Sequence, residues 1–341
     1  MAQPLTALNT FGVEATCDNL FRFTSEQDIQ DWLAGMPIAP EKFFVLGGGS
    51  NLLLLGHIPL TFLKADITGI TYEKSGDQVL VTAGAGVNWH DLVLDSLEQG
   101  YSGLENLSLI PGNVGAAPIQ NIGAYGVELE QLFVSLDAID LYSGEKVVFE
   151  HKDCEFGYRD SVFKNRCKGQ YLITSVTLKL NISPKLVLTY GPLKALSDNT
   201  QSLSAKKVSD EVIRIRQSKL PDPETLGNAG SFFKNPVIAN HQYNQLKSDY
   251  PELVAYAVDD SHMKLAAGWL IDQCGLKGYR QGDAGVHQQQ ALVMVNHGNA
   301  SGRELLELAA HVRDTVLQRF GVKLEPEVWI IGEQDIFTQS K

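Results

Sequence analysis

Residues 110–126 read Ile-Pro-Gly-Asn-Val-Gly-Ala-Ala-Pro-Ile-Gln-Asn-Ile-Gly-Ala-Tyr-Gly. The stretch holds no charged residue, is dense in glycine and small side chains, and lacks an apolar period of helical length. Such residues bury little area, and the backbone N–H and C=O groups of an irregular segment need partners. A long, extended ligand lying along it would supply them. The stretch therefore reads as a binding wall rather than a core element, with a merely structural glycine loop as the plain alternative.

Two glycine-rich turns lie upstream, each after a strand-like run. Gly47-Gly48-Gly49-Ser50-Asn51 follows residues 42–46, and Gly84-Ala85-Gly86-Val87-Asn88 follows residues 78–83. Clustered glycines let amide groups point into one concavity and let a phosphate approach the main chain. Neither turn is a Rossmann loop. The third glycine position is Leu52 in one and Trp89 in the other, too bulky for close helix–strand packing. For either turn alone, a tight turn without a ligand is the plain alternative.

Around these segments the elements alternate. Thr24 and Gln27 form a capping-box start to a helix with Ile29, Trp32 and Leu33 on one face and Gly35 at its end. Asn88 caps a second helix striped by Trp89, Leu92, Val93 and Leu97 and stopped by Gly100. Residues 133–141, 146–150 and 171–180 read as antiparallel strands, the first two joined at Ser143-Gly144. A helix over 208–218 precedes Pro221-Asp222-Pro223, the best candidate for a domain boundary. Then come a helix near 264–273, a strand at 291–296, and a long helix. Ser301 and Glu304 box that helix, Leu305, Ala309, Val312, Val316 and Phe320 stripe it, and Gly321 ends it; 327–331 is a last strand. The class is α+β, not a regular doubly wound sheet.

At 341 residues and 37.4 kDa the chain suggests two domains or three and needs no disulfide or metal staples. The 44% hydrophobic and 20% charged residues fit a soluble globular protein and exclude disordered, collagenous and membrane classes. The first twenty residues lack the basic start and apolar core of a signal peptide. Cys17, Cys154, Cys167 and Cys274 are scattered, as expected of reduced thiols in cytoplasm. No metal site is expected: Cys154 has only His151 as a local partner, and the histidines show no ligand spacing. A net charge of −12 argues against non-specific binding to nucleic acid or anionic membrane. An anionic ligand would then require concentrated positive charge. Arg159, Lys164, Arg166 and Lys168 form one such stretch, and Arg214, Arg216 and Lys219 another, with solvated helix or loop faces as the plain alternative.

Six stretches in order carry a resemblance. Leu46 to Leu52, Ile110 to Gly126, Phe156-Gly-Tyr-Arg-Asp-Ser161, Lys219-Leu-Pro-Asp-Pro223, Asn228-Ala-Gly-Ser-Phe-Phe-Lys-Asn-Pro236 and Leu324-Glu-Pro-Glu-Val328 closely resemble the UDP-N-acetylenolpyruvoylglucosamine reductase family. Those flavoenzymes complete UDP-N-acetylmuramate for bacterial peptidoglycan. The likeness runs from Asn9 to Gly332, and Leu188-Thr-Tyr-Gly191 resembles the long form, in which a loop tyrosine folds over bound substrate.

The resemblance implies a two-lobed FAD-binding domain of the vanillyl-alcohol-oxidase type over 1–220, with lobes of about 1–67 and 68–220 and strand 327–332 returning to it. A substrate-binding α+β domain would occupy 221–326. It further implies non-covalent FAD held by Gly47, Gly48, Gly49, Ser50, Asn51, Pro111, Gly112, Ile119, Ile122, Gly123 and Arg216, with NADPH as hydride donor. Arg159, Ser231 and Glu327 would be catalytic, respectively as carboxylate-side stabiliser, proton donor and carboxylate, with Glu325 the nearby decoy. Tyr125, Tyr190, Lys219, Asn235, Tyr256, Lys264, Lys277 and Gln290 would touch substrate. Some relatives carry serine where this chain has Ala116 or Ala117, so a hydroxyl contact to flavin is absent here. The implied protein is a cytoplasmic monomer acting on a UDP-sugar enolpyruvyl ether. Two rivals stand beside it. An oxidase of the same fold commonly tethers flavin through His or Cys, and the glycine loops contain neither. A non-catalytic nucleotide-sugar binder would have no need of Arg159, Ser231 and Glu327.

Overall fold

The computed structural model describes residues 2–35 and 42–332. These form two compact units, one of Cys17–Gly48 and Pro59–Ser218, the other of Ala2–Thr16, Gly49–Ile58 and the chain from Lys219 onward. The composition is α+β, with antiparallel pairing predominant.

The first unit is built on a five-stranded sheet in the order Lys146–Glu150, Phe133–Asp140, Tyr171–Asn181, Gln78–Gly84, Ile70–Ser75. Every pairing in it is antiparallel. Val79, Val81 and Ala83 alternate into the core with partly buried residues between them, the period-2 pattern of a half-buried strand. Helix α2, Trp89–Glu98, starts where Asn88 Oδ1 accepts from the amides of His90 and Asp91. Its Trp89, Leu92 and Val93 join Val81, Leu136, Val176 and Leu178 in one core. Helix α1, Glu26–Ala34, packs Ile29 with Phe23, Phe43 and Leu63 in a second. There Phe43–Val45 runs parallel to Thr61, Phe62 and Leu63. The cap of α1 differs from the expected Thr24/Gln27 pair. Ser25 Oγ accepts from the Asp28 amide, and Asp28 accepts back from Thr24. The box is shifted by one residue, because Asp28 reaches both the amide and the hydroxyl of Thr24.

The second unit holds an antiparallel sheet in the order Gly227–Ser231, Val293–Asn296, Ala284–Val286, Arg280–Gln281. Helix α6, Gly302–Phe320, buries the expected stripe, with the Ser301/Glu304 box at its start and Gly321 in the left-handed region at its end. Trp329–Ile331 pairs in parallel with Leu52–Leu54, so Glu327 sits just before the last strand rather than opening it. A third sheet orders Val237–Ala239, His262–Leu265, Ala255–Ala257, and helix α4, Asn240–Asp249, follows its first strand. This corrects the expected helix over 264–273. Lys264 is a strand residue paired with Val237 and Tyr256, and helix α5 is only Ala267–Gln273. The strand at 291–296 is likewise shorter, starting at Val293. Among the described residues no helix is long and apolar enough to cross a membrane.

Candidate functional site

In the first unit, Gly47 and Gly48 face residues 112–116 at close range. A Cβ on Gly48 would lie 2.8 Å from Gly112 Cα and 2.9 Å from Asn113 Oδ1, and one on Gly47 would lie 2.8 Å from Ala116 Cβ. Among the described residues nothing accepts from the Gly47 and Gly48 amides. Buried or half-buried amides of this kind in a glycine turn make an anion-binding concavity.

The second glycine turn is spent differently. Cβ atoms on Gly84 and Gly86 would meet the main chain of Ile67 and Asp66 at 2.3 and 2.6 Å, and one on Gly115 would meet Ala85 Cβ at 2.6 Å. Ala85 and Val87 carbonyls accept from Gly115 and Val114, and Gly112 O accepts from Trp89. The turn at 84–88 is therefore a prop for the wall, and its plain reading holds.

The wall itself differs from the expected wholly irregular segment. Val114–Gln120 form a 3-10 helix that ends at Asn121, held in the left-handed region at φ 44°. Several of its backbone groups are satisfied by the protein. Asn121 is fully buried and donates to Gly157 O and Glu128, while accepting from the Glu130 amide. Ser161 Oγ donates to Ile119 O at 2.6 Å. Pro111, Gly112, Ile119 and Gly123 keep solvent-accessible surface, whereas the Ile122 side chain joins the core.

Arg159 is set at the edge of this wall in a left-handed conformation, φ 55°. Its Nη2 donates to Gly123 O at 2.8 Å, and Lys164 Nζ donates to Arg159 O. Asp160 accepts from Asn165 Nδ2. The neighbouring cations Arg166 and Arg214 are exposed and paired with Glu155 and Glu211. Arg216 faces inward from helix α3, Ala205–Lys219, and its Nε donates to Leu109 O at 3.2 Å. Burial lowers its pKa, with the Arg159 charge adding and Tyr125 opposing. It stays charged, because guanidinium starts so high. Tyr125, also left-handed at φ 50°, meets Tyr190 edge to face with ring centroids 6.4 Å apart.

Leu109 precedes the wall with φ 58°, a costly conformation for a branched side chain. Two side chains hold it: Arg216 on its carbonyl and His90 Nδ1, which accepts from its amide at 3.0 Å. That acceptor exists only while His90 is neutral. Burial lowers the His90 pKa below its usual 6.5, with Arg216 adding and Asp91 opposing. A base depressed in the folded state lets the unfolded chain take up protons first, so stability falls as pH drops from about 6.5 towards the folded value. We expect His90→Gln, which keeps an acceptor but cannot titrate, to show a shallower acid-side fall in Tm. His287 and His297 are depressed by burial in the same sense, so part of the fall should remain. A Tm-against-pH series on both proteins checks this, and superimposable curves would refute it.

In the second unit, Ser231 closes strand Gly227–Ser231 opposite Val293, after Gly230 at φ 69°. Phe232 and Phe233 are buried next to it. Phe232 O accepts from the Glu327 amide at 2.8 Å, and Lys234 N donates to Glu325 O. Phe233 bridges Pro326. Ser231 and Glu327 thus lie on neighbouring runs, pinned by the intervening phenylalanine. Asn51 Nδ2 donates to Glu327 O at 3.2 Å, tying the end of the first glycine turn to this run.

Four of the expected substrate residues are linked in the second unit. Tyr256 and Lys264 are cross-strand partners. Asn235 Oδ1 accepts from Ala267 N at 3.0 Å, and Gln290 Oε1 lies against Gly268. Lys277 lies beyond the other end of α5, paired with Asp272 at 2.6 Å, and Lys219 is exposed at the end of α3. Burial pushes the Cys154 thiol up to about 12, making it an inert core group. Sequence reading missed His90, Leu109, Asn106 and Asn121. The one local hint for Asn106 is a polar pair, Glu105-Asn106, bracketed by leucines just upstream of the wall.

Comparison with known proteins bears on both units. Residues 222–331 match the family model for the C-terminal domain of UDP-N-acetylenolpyruvoylglucosamine reductase, and residues 18–149 match an FAD binding domain. The chain is 46% identical over 327 residues to the UDP-N-acetylenolpyruvoylglucosamine reductase of Flavobacterium johnsoniae, covering 95% of this chain and 96% of that one. It is 48% identical over 326 residues to the enzyme of that name from Alcanivorax borkumensis, covering 95% and 93%. Its fold is similar to the solved UDP-N-acetylenolpyruvylglucosamine reductase of Thermus caldophilus, with TM-score 0.67, 25% identity, and coverage of 97% of this chain and 100% of that one.

Proposed function

The chain belongs to the UDP-N-acetylenolpyruvoylglucosamine reductase family, and from that membership we infer an FAD-dependent enzyme that reduces UDP-N-acetylglucosamine enolpyruvate to UDP-N-acetylmuramate in peptidoglycan precursor synthesis. The observation that carries this reading to the residues is the first glycine turn. The Gly47 and Gly48 amides are unclaimed among the described residues, beside Gly112, Asn113 and Ala116. These groups fit a dinucleotide pyrophosphate. Ser50, Asn51, Pro111, Gly112, Ile119, Ile122, Gly123 and Arg216 would hold the remainder of FAD. Tyr125, Tyr190, Lys219, Asn235, Tyr256, Lys264, Lys277 and Gln290 would hold substrate.

When bound, FAD supplies a hydride, received from NADPH, to the methylene carbon of the enolpyruvyl ether. What the chain must add is charge control and a proton. Negative charge then develops on the second carbon and the substrate carboxylate. Arg159 presents a planar fork that matches a carboxylate, and its Gly123 anchor fixes that fork in advance. A preorganised donor of this kind contributes about 3 kcal/mol, by analogy with loss of one oxyanion donor. Ser231 Oγ holds the proton for the second carbon. A hydroxyl is a weak acid, so this works only against a strongly basic centre, and solvent must then restore the proton. Glu327, whose amide donates to the carbonyl of Phe232 next to Ser231, would polarise that acid or protonate the same carbon directly.

A monomeric, cytoplasmic enzyme without nucleic-acid or membrane partners accords with a nucleotide-linked substrate and a net charge of −12. The test is anaerobic stopped-flow of the yellow protein. NADPH should bleach the flavin, and UDP-N-acetylglucosamine enolpyruvate should restore it far faster than oxygen does. Fast reoxidation by oxygen alone would point to an oxidase, and a colourless protein to a nucleotide-sugar binder.

A further inference from the structure

Strand Gly227–Ser231 does not reach Ser231 in an unbroken ladder. Gly227 stands opposite Asn296 and Asn228 opposite Val295, but it is Ser231, not Gly230, that stands opposite Val293. Ala229 and Gly230 are therefore set against the single residue Met294, a β-bulge of one residue. Side chains alternate along a strand, so one added residue reverses the face to which the positions after it point. Ser231 takes the facing that Gly230 would have in a regular pairing. A bulge leaves a residue outside the ladder, a cost that a strand with only packing to do has no reason to carry. Here it re-aims the residue read as the proton donor.

One side chain satisfies the bulge. Asn228 is 4% exposed, and its Oδ1 accepts from the Gly230 amide at 3.0 Å, the bond to the backbone two residues on that asparagine makes readily. Gly230 follows at φ 69°, a conformation that costs glycine little. The Asn228 Nδ2 group is spent on the preceding loop, donating to Leu226 O at 2.8 Å and to Pro221 O at 3.1 Å. Both donors and the acceptor of one buried amide are thus used, which fixes its orientation. The main chain of the same residue donates to Thr10 O, and Thr10 N donates to Gly49 O. Two backbone bonds therefore reference the root of the bulge to the first glycine turn.

We propose that Asn228 is a positioning residue that holds the bulge and thereby aims the Ser231 hydroxyl at the carbon it protonates. The proposal rests on the reading of Ser231 as proton donor. Asn228 acts only through Ser231. Its acceptor sets the aim, and its two donors anchor that acceptor to the loop.

Asn228→Ala removes all three side-chain bonds. Asn228→Ser keeps an acceptor for the Gly230 amide, since serine makes the same turn more weakly, but it cannot span both loop carbonyls. In stopped-flow on the FAD holoprotein, Asn228→Ala should be reoxidised by the enolpyruvyl substrate roughly tenfold or more slowly. A misplacement of about 1 Å can cost on the order of 10²-fold. Reduction by NADPH should stay near the wild-type rate. Asn228→Ser should recover most of the loss, and it covers the case in which the alanine variant fails to fold. Independently of activity, hydrogen exchange over residues 228–231 should quicken several-fold in Asn228→Ala and less in Asn228→Ser. In a Ser231→Ala background, Asn228→Ala should slow reoxidation no further, because nothing is left to aim. Wild-type reoxidation in both Asn228 variants, where Ser231→Ala is slow, would overturn the proposal. So would equal slowing of the two half-reactions, or a slowing that persists without the Ser231 hydroxyl. Normal reoxidation in Ser231→Ala itself would instead overturn the reading of Ser231, and exchange over 228–231 would still decide whether Asn228 holds the bulge.

Discussion

Ser231→Ala should leave NADPH reduction of the flavin near its normal rate while slowing reoxidation by the enolpyruvyl substrate by at least roughly 10²-fold, the usual scale for a positioned acid. The asymmetry is the point. The hydroxyl is asked to act only after hydride has reached the substrate, so the half-reaction with NADPH does not need it. The variant should fold, since Ser231 ends a strand whose neighbours Phe232 and Phe233 carry the packing, and Phe232 N still donates to Leu292 O. Glu327→Gln should show the same one-sided defect, with its backbone bond to Phe232 O intact. Equal losses in both half-reactions would remove Ser231 from the proton-donor role. A normal Glu327→Gln paired with a slow Glu325→Gln would move the carboxylate assignment to Glu325.

Gly49→Ala is the second large effect, and it reads out through folding the glycine turn proposed to hold FAD. Gly49 has φ 68°, and its added Cβ would lie 1.9 Å from Leu8 O. No rotamer relieves a clash with a main-chain carbonyl. The left-handed conformation alone costs about 1–2 kcal/mol for a residue with a Cβ, and forcing atoms into packed structure adds about 1–3 kcal/mol. The turn must then shift, taking with it the Gly49 carbonyl that accepts from Thr10. The expected outcome is a protein purified with little FAD and a Tm lower by roughly 10 °C, since about 1 kcal/mol moves Tm by about 2–4 °C in a domain of this size. Gly56→Ala is the control. Gly56 has nearly the same φ, 69°, with open space around it, so it should lose only the first contribution and keep its flavin. Equal Tm losses for the two alanines would show that backbone strain, not close approach, is what Gly49 relieves.

Legibility of the fold followed the range of the signals. Asn88, the Ser301/Glu304 box and Gly321 were all readable because cap and capped amide lie within a few residues. The helix near 264–273 reads three residues too long at its start because the amide at the true start of α5 is capped by Asn235 Oδ1, 32 positions away. The strand identity of Lys264 likewise comes from Val237 and Tyr256 on either side, partners that no local window contains. At the candidate site, the order of motifs nominates Arg159, Ser231 and Glu327. It did not disclose that the second glycine turn packs against other main chain while the Gly47 and Gly48 amides of the first have no acceptor among the described residues. The first turn holds three glycines and the second two, and only the chain that passes beside each one decides which of their backbone groups are taken.

From the amino-acid order alone came the α+β class, the family and the residue types its reaction needs, since periodicity, caps and ordered motifs are short-range and survive in one dimension. Tertiary structure alone placed the Arg159 guanidinium on Gly123 O, set Leu109 between His90 and Arg216, and joined Asn106 to Val187 O. Each of these joins residues far apart in the chain. The energy of such a bond depends on a distance and an angle that exist only once the intervening polypeptide has folded.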